Sequence, residues 1–216
     1  SPHNPTGRVW DIEELNALVS FCRKHNLILI SDEIHAGLIL DQDKKHIATG
    51  NIPDAADILV TLQSASKTFN MPGLGCAYAV VKNPILRKKI KQIMNGIVHH
   101  VGALGFTATL AAYQNGKAWH SELIEYLRLN REQVEQTLSP CDGLTVYHSE
   151  ATYLTWIDAR KMPVNNPSLY FEKFGVGLYD GAPFGAPGFL RLNYACPNSI
   201  LQEALKRIKS GLAELT

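Results

Sequence analysis

Charge of one sign, paired cysteines and long apolar runs are all scarce in this chain, and each scarcity removes a class of function. Lys and Arg total 21 against 20 Asp and Glu, a formal net charge of +1. That balance gives no electrostatic case for nucleic acid or an anionic membrane, so the expected ligand is a small neutral or zwitterionic molecule. The 4 cysteines, Cys22, Cys76, Cys141 and Cys196, stand far apart with no Cys-x-x-Cys pair. This argues against a zinc site and a dense disulfide framework, and it predicts reduced, mostly buried thiols. No apolar run approaches a membrane span and no secretory leader is recognisable. The expectation is a cytoplasmic protein with no membrane and no nucleic-acid partner.

What is present suffices for a core. With 216 residues, 45% of them hydrophobic, the chain supports one large domain or one domain plus part of another. It opens in a loop-like Ser1-Pro2-His3-Asn4-Pro5-Thr6-Gly7, so further sequence upstream is expected. Pro5 holds that turn and disfavours a helical Asn4, which leaves the Asn4 amide able to reach a ligand or to serve its own turn.

Hydrophobic periodicity then lays out an α/β order. Asp11 with Glu14 predicts a capped helix ending near His25-Asn26, followed by a strand over 27–30 that reads as covered on both faces. A second buried strand is expected over 58–62 and a third over 75–81. Asn83-Pro84 starts a helix toward Ile97, and another runs from Ala103 to Tyr113, closed by Asn115-Gly116. A long amphipathic helix over 121–138 links two units, 1–120 and 121–216. The second unit is expected to hold strands over 144–147, 152–157 and 189–193, a short helix over 168–174, and a final helix capped by Ser199 with Gln202.

Polar residues gather at the ends of the predicted strands. Ser31-Asp32-Glu33-Ile34-His35 follows the first, and Ser64-Ala65-Ser66-Lys67 follows the second. In α/β sheets, ligands bind at the carboxyl ends of the strands. Asp32 reads as a buried functional carboxylate or as a cap for the segment that follows, Glu33 as solvated, and His35 as either a ligand group or a core histidine. Desolvation of Lys67 would lower its pKa and free the amine to form a Schiff base with an aldehyde cofactor. Arg191, on the last strand, suits bidentate capture of a carboxylate or a structural ion pair. The Gly- and Pro-rich stretch over 180–188 permits close approach to a ligand or is a surface loop. His99-His100 is a weak metal pair, because ligands on one helix face want wider spacing.

Asn4, Asp32, Lys67 and Arg191, within Pro2-His3-Asn4-Pro5-Thr6-Gly7, Ser31-Asp32-Glu33-Ile34-His35, Ser64-Ala65-Ser66-Lys67 and Arg191-Leu192, resemble the signature of fold-type-I pyridoxal-phosphate enzymes. The closest likeness is to the cystathionine β-lyase group of MalY or PatB type. His35 stands where aminotransferases usually carry tyrosine. The resemblance implies an α/β fold in two parts: the carboxyl-terminal part of a cofactor-binding large domain, with a mixed, mostly parallel sheet, and a small α/β domain. It implies pyridoxal 5'-phosphate held by Lys67, the pyridinium nitrogen paired with Asp32, and Asn4 and His35 near the phenolic oxygen. Ser64 and Ser66 would bind the phosphate, and Arg191 the substrate's α-carboxylate.

The reaction so implied is β-elimination from cystathionine or a related cysteine S-conjugate, with aminotransfer as the alternative and a homodimer as the assembly. Gly75 stands where many aminotransferases carry a phosphate-binding arginine. The likeness covers only the carboxyl-terminal part of the family, so residues 1–216 alone are expected to bind cofactor weakly and turn over little, or to form an inactive paralogue. Asp32-Glu33-Ile34-His35 also spells a helicase metal box. That reading leaves Asn4, Lys67 and Arg191 unexplained and wants a basic surface that the composition lacks.

Overall fold

A computed structural model describes residues 1–215. The chain divides into two compact units, one of Ser1–Pro2 with Val9–Glu122 and one of His3–Arg8 with Leu123–Thr216. The sequence reading put residues 3–8 in the first unit; they pack with the second. The reason is local: the Gly7 carbonyl accepts from the Ala151 N–H at 2.9 Å, and Gly7 lies so close that a Cβ there would be 2.7 Å from Ser149 Cβ and 2.8 Å from the Ala151 oxygen. Gly7 also has φ +71°. Left-handed strain of about 1–2 kcal/mol for a non-glycine residue adds to the cost of overpacking, so Gly7→Ala is expected to destabilise the protein by about 2 kcal/mol or more. A urea unfolding curve of the complete protein measures it.

In the first unit, α1 (Ile12–Lys24) begins with a capping box. The Asp11 carboxylate accepts from the Glu14 N–H at 2.8 Å while Glu14 accepts from the Asp11 N–H at 3.0 Å, satisfying two donors the helix cannot. Leu15, Val19 and Cys22 bury one stripe against Leu29, Ile52, Ala55 and Leu59. Three strands, β1 (Leu29–Asp32), β2 (Leu59–Gln63) and β3 (Tyr78–Val80), form a sheet in that order. β1 and β2 are parallel, with Asp32 opposite Leu62, and β3 is antiparallel to β2. The sheet is therefore mixed, as expected, but with one parallel pair and one antiparallel pair.

Several bounds differ from expectation, among them β3, which is confined to Tyr78–Val80 within the expected 75–81. β1 starts two residues later than the apolar run, and it alternates buried and exposed; Ile30 is 64% exposed. A strand with one covered face places successive side chains on opposite sides, so the run 27–30 is not covered on both faces. The helix after Asn83, α2 (Pro84–Met94), stops before Ile97. The Asn83 side chain accepts from the Ile85 and Leu86 N–H groups as the cap requires. It is followed by α3 (Ala103–Asn115) and α4 (Lys117–Leu138), which begins four residues before its expected start and runs through the division between the units.

The second unit carries an antiparallel sheet of β4 (Thr145–Tyr147), β5 (Leu154–Asp158), β6 (Tyr179–Asp180) and β7 (Phe189–Asn193), in the order β4-β5-β7-β6. The two-residue β6 has too little pattern to be read from sequence. On β7, Leu190 and Leu192 are buried while Phe189 and Arg191 are half-buried, so the alternation presents the arginine on the face away from the core. Two further helices, α5 (Pro167–Glu172) and α6 (Asn198–Ala213), complete the unit. The stripe Leu201, Leu205 and Ile208 of α6 is buried. Ser199 is not its cap: the helix starts at Asn198, whose amide donates to Asn130 Oδ1 at 3.1 Å and Gln133 Oε1 at 2.7 Å. All four cysteines are free; Cys22 is buried, and the other three are half-buried rather than sealed.

Candidate active site

The parallel register of β1 and β2 sets their carboxyl ends side by side, and the candidate residues of the first unit leave from those ends. The Glu33 N–H donates to the Leu62 carbonyl at 3.0 Å, extending the pairing one step past β1. The chain then turns over 34–37, with the Ala36 N–H donating to the Glu33 carbonyl at 2.9 Å. His35 is buried at 5% exposure. After β2 the chain turns over 66–70, with the Phe69 N–H donating to the Ala65 carbonyl at 2.9 Å. Lys67 lies in this turn and is half-buried.

The Lys67 turn is anchored by the two residues that follow the lysine. Thr68 presses on Gly37, where a Cβ would come within 2.5 Å of Thr68 Oγ1, so the turn after β1 and the turn after β2 are in direct contact. Phe69 stacks on Trp119 at 5.9 Å and meets Tyr113 edge-on at 6.1 Å. Phe69 also covers Gly116, leaving no room for a side chain there. These contacts fix the backbone that carries Lys67.

Ser64 and Ser66 organise the same loop. Ser64 Oγ donates to the Cys76 carbonyl at 2.7 Å, lies 2.8 Å from Ser66 Oγ and accepts from the Ser66 N–H at 3.0 Å. Ser64 is buried and Ser66 half-buried, so Ser66 is the more accessible of the two hydroxyls.

The two acids at the end of β1 exchange their expected roles. Asp32 is exposed and its carboxylate accepts from the Ile34 N–H at 3.2 Å. Glu33, expected to be solvated, is 1% exposed. Alternation decides this, because Leu29, Ser31 and Glu33 share the covered side while Ile30 and Asp32 share the other. Burial alone would raise the Glu33 pKa, but hydrogen bonds outweigh it and bring it down to about 2. Glu33 accepts from His46 Nε2 at 3.0 Å, from the Thr49 N–H at 2.9 Å and from Ser31 Oγ at 2.9 Å. An ionised Glu33 can only accept, so His46 must carry its proton on Nε2. Sequence reasoning missed this buried carboxylate, because its partners His46 and Thr49 lie in an irregular stretch and at the start of a single 3-10 turn over Thr49–Asn51, neither of which carries periodicity.

The second unit brings Asn4 and Arg191 together. Arg191 Nη1 donates to Asn4 Oδ1 at 3.0 Å, so Asn4 serves the arginine rather than its own turn. The Arg191 guanidinium stands 4.5 Å from the Tyr179 ring centroid and 5.0 Å from that of Phe184. Among the described residues no carboxylate forms an ion pair with it, whereas Arg160 is held at both ends of the Asp158 carboxylate. The structural ion pair considered for Arg191 is therefore absent among the described residues. Burial raises the pKa of the Tyr153 phenol, and the positive charge of Arg191 opposes that rise.

The sequence model of the class I and II aminotransferases matches residues 1–208. Cystathionine β-lyase PatB of Bacillus subtilis strain 168 is 35% identical over 221 residues, spanning 99% of this chain and 57% of PatB. The crystal structure of a protein named OvoB superposes with a TM-score of 0.96 at 40% identity, over 98% of this chain and 56% of OvoB. Cystalysin from Treponema denticola, whose crystal structure contains a pyridoxal 5'-phosphate cofactor, gives a TM-score of 0.93 at 32% identity, over 100% of this chain and 57% of cystalysin. The chain thus spans a little over half the length of these relatives. With nearly all of its own length matched and an α/β architecture shared with them, this chain belongs to the aminotransferase class I and II family.

Proposed function

We propose that the complete protein is a pyridoxal-phosphate-dependent carbon-sulfur β-lyase that converts cystathionine or a related cysteine S-conjugate to pyruvate, ammonia and a thiol. The observation that carries this reading is the clamped Ser64-Ala65-Ser66-Lys67 turn beside the end of the parallel strand that bears Asp32. Its donor set suits such a cofactor: an amine for the aldehyde, a carboxylate for the ring nitrogen, and hydroxyls for the phosphate. Lys67 would hold the aldehyde carbon. Asp32 would keep a proton on the ring nitrogen, and His35 and Asn4 would serve the phenolic oxygen. Ser66, oriented by Ser64, would bind the phosphate. When bound, the cofactor accepts the electron pair released at the substrate's α-carbon.

The remaining work falls to side chains. Arg191 takes the substrate's α-carboxylate, a role supported by a half-buried charge whose contacts, Asn4 and two rings, are all neutral. Lys67 removes the α-proton, after which a thiolate leaves the β-carbon. The lyase assignment leans on the relatives named cystathionine β-lyase and on His35 three residues after Asp32. Aminotransfer is the second reading, favoured by the family's own name; it shares the α-proton transfer and differs in where that proton returns. Product analysis of the complete protein with cystathionine tests the choice. Equal release of pyruvate and thiol is expected. Amino exchange that depends on an added keto acid, with no thiol released, would replace the lyase reading.

A further inference from the structure

The loop over 180–188 and the strand before it have no role in the scheme above, yet they supply both rings that contact Arg191. Tyr147, Trp156, Arg191 and Tyr179 are direct cross-strand partners, one from each strand of the second sheet. Arg191 therefore emerges from a row whose other three members are aromatic. Phe184 adds a second ring under the guanidinium. It meets Trp156 edge-on at 5.9 Å and Tyr179 at 5.9 Å, so the two rings beneath the arginine also brace each other.

The loop is built to hold Phe184 there. Asp180 Oδ1 accepts from the Ala182 N–H at 2.9 Å, starting a single 3-10 turn over Ala182–Phe184. The Gly181 N–H donates to the Phe189 carbonyl at 2.8 Å, and the Ala186 N–H returns to the Gly181 carbonyl at 3.1 Å. A Cβ on Gly181 would lie 2.4 Å from the Ala186 oxygen and 2.7 Å from Phe189 Cβ. A loop closed this tightly delivers one ring to one place.

We propose that Tyr179 and Phe184 are positioning residues for Arg191: an aromatic bracket that orients the planar guanidinium for a bidentate carboxylate while leaving its charge uncompensated. This rests on the assignment of Arg191 to the substrate's α-carboxylate. The physical logic is a choice of partner. A carboxylate neighbour would orient the guanidinium as Asp158 does Arg160, but it would also neutralise the charge and occupy its paired donors. An aromatic face holds a cation by its quadrupole and leaves the N–H edge available. Asn4 takes one N–H with a neutral oxygen, so it orients without cancelling the charge.

The test uses the complete, cofactor-loaded protein and measures the dissociation constant of propionate, a carboxylate with no amino group, by calorimetry, alongside KM, kcat and melting temperature. Tyr179→Leu and Phe184→Leu are each expected to weaken propionate binding and raise KM for the amino acid by about 3- to 10-fold. Little change is expected in kcat or melting temperature, and Tyr179→Phe should keep binding within about 2-fold because it keeps the ring. Arg191→Gln is the control and should abolish propionate binding. Unchanged binding in both leucine variants beside a loss in Arg191→Gln would overturn the bracket alone. Full binding in Arg191→Gln would overturn the carboxylate assignment, and the bracket with it. Equal weakening by Tyr179→Leu and Tyr179→Phe would also overturn the bracket, since the phenol and not the ring would then be responsible.

Discussion

Lys67→Ala in the complete protein is expected to cut pyruvate release by roughly 1,000-fold or more, because in the proposed mechanism one amine both holds the cofactor and moves the α-proton. General acid-base catalysis alone contributes about 100- to 10,000-fold. Lys67→Arg should be no better: a guanidinium keeps the charge but stays protonated at any working pH, so it cannot accept the α-proton. Folding should be nearly unaffected, since the clamp on this turn comes from Thr68 against Gly37 and from Phe69 against Trp119 and Tyr113, not from the lysine itself. Melting temperature and pyruvate release measured on the same preparations separate the two effects. A Lys67→Ala protein retaining a tenth of parental activity would remove the lysine from the mechanism.

The second large effect concerns Glu33 and is one of stability. Its carboxylate is sealed and accepts from Ser31, His46 and the Thr49 backbone. Glu33→Ala removes the charged acceptor that these groups, and Gln63 Nε2 at 3.5 Å, converge on, and breaking a buried charged network by removing one partner costs about 3–5 kcal/mol. Glu33→Gln keeps the volume but loses the charge and replaces one acceptor oxygen with a donor. A cost of about 1–3 kcal/mol is expected for that change. Urea unfolding of the complete protein distinguishes them, and equal stability of Glu33→Ala and the parent would mean the network contributes nothing net.

The same network sets an acid limit. The folded-state pKa of Glu33 lies near 2, below its ordinary value of 4.5, so the unfolded chain binds this proton more tightly. The contribution is fully present above about pH 4.5 and is lost as pH falls from there toward 2. In Glu33→Gln that part of the acid dependence should vanish, and comparing unfolding at pH 5 and pH 3 in both proteins measures it.

These residues also show how far the sequence carries. Local chemistry determined the helices: Asp11 with Glu14 capped α1 as read, Asn83-Pro84 opened α2, and the stripes on α1 and α6 turned inward, because caps and 3.6-residue periodicity act within a few neighbours. Ser31-Asp32-Glu33-Ile34-His35 and Ser64-Ala65-Ser66-Lys67 were legible as strand-end clusters for the same reason, since apolar runs that end in polar residues mark where a strand emerges. What only the tertiary structure decided was orientation. A single covered face exposed Asp32 and buried Glu33, because side chains alternate and only packing selects the covered side. Arg191 was readable as a carboxylate-binding candidate. Its aromatic bracket was not, because Tyr179 and Phe184 meet it only through antiparallel pairing and a loop closed around Gly181, contacts between positions that no local pattern in the sequence connects.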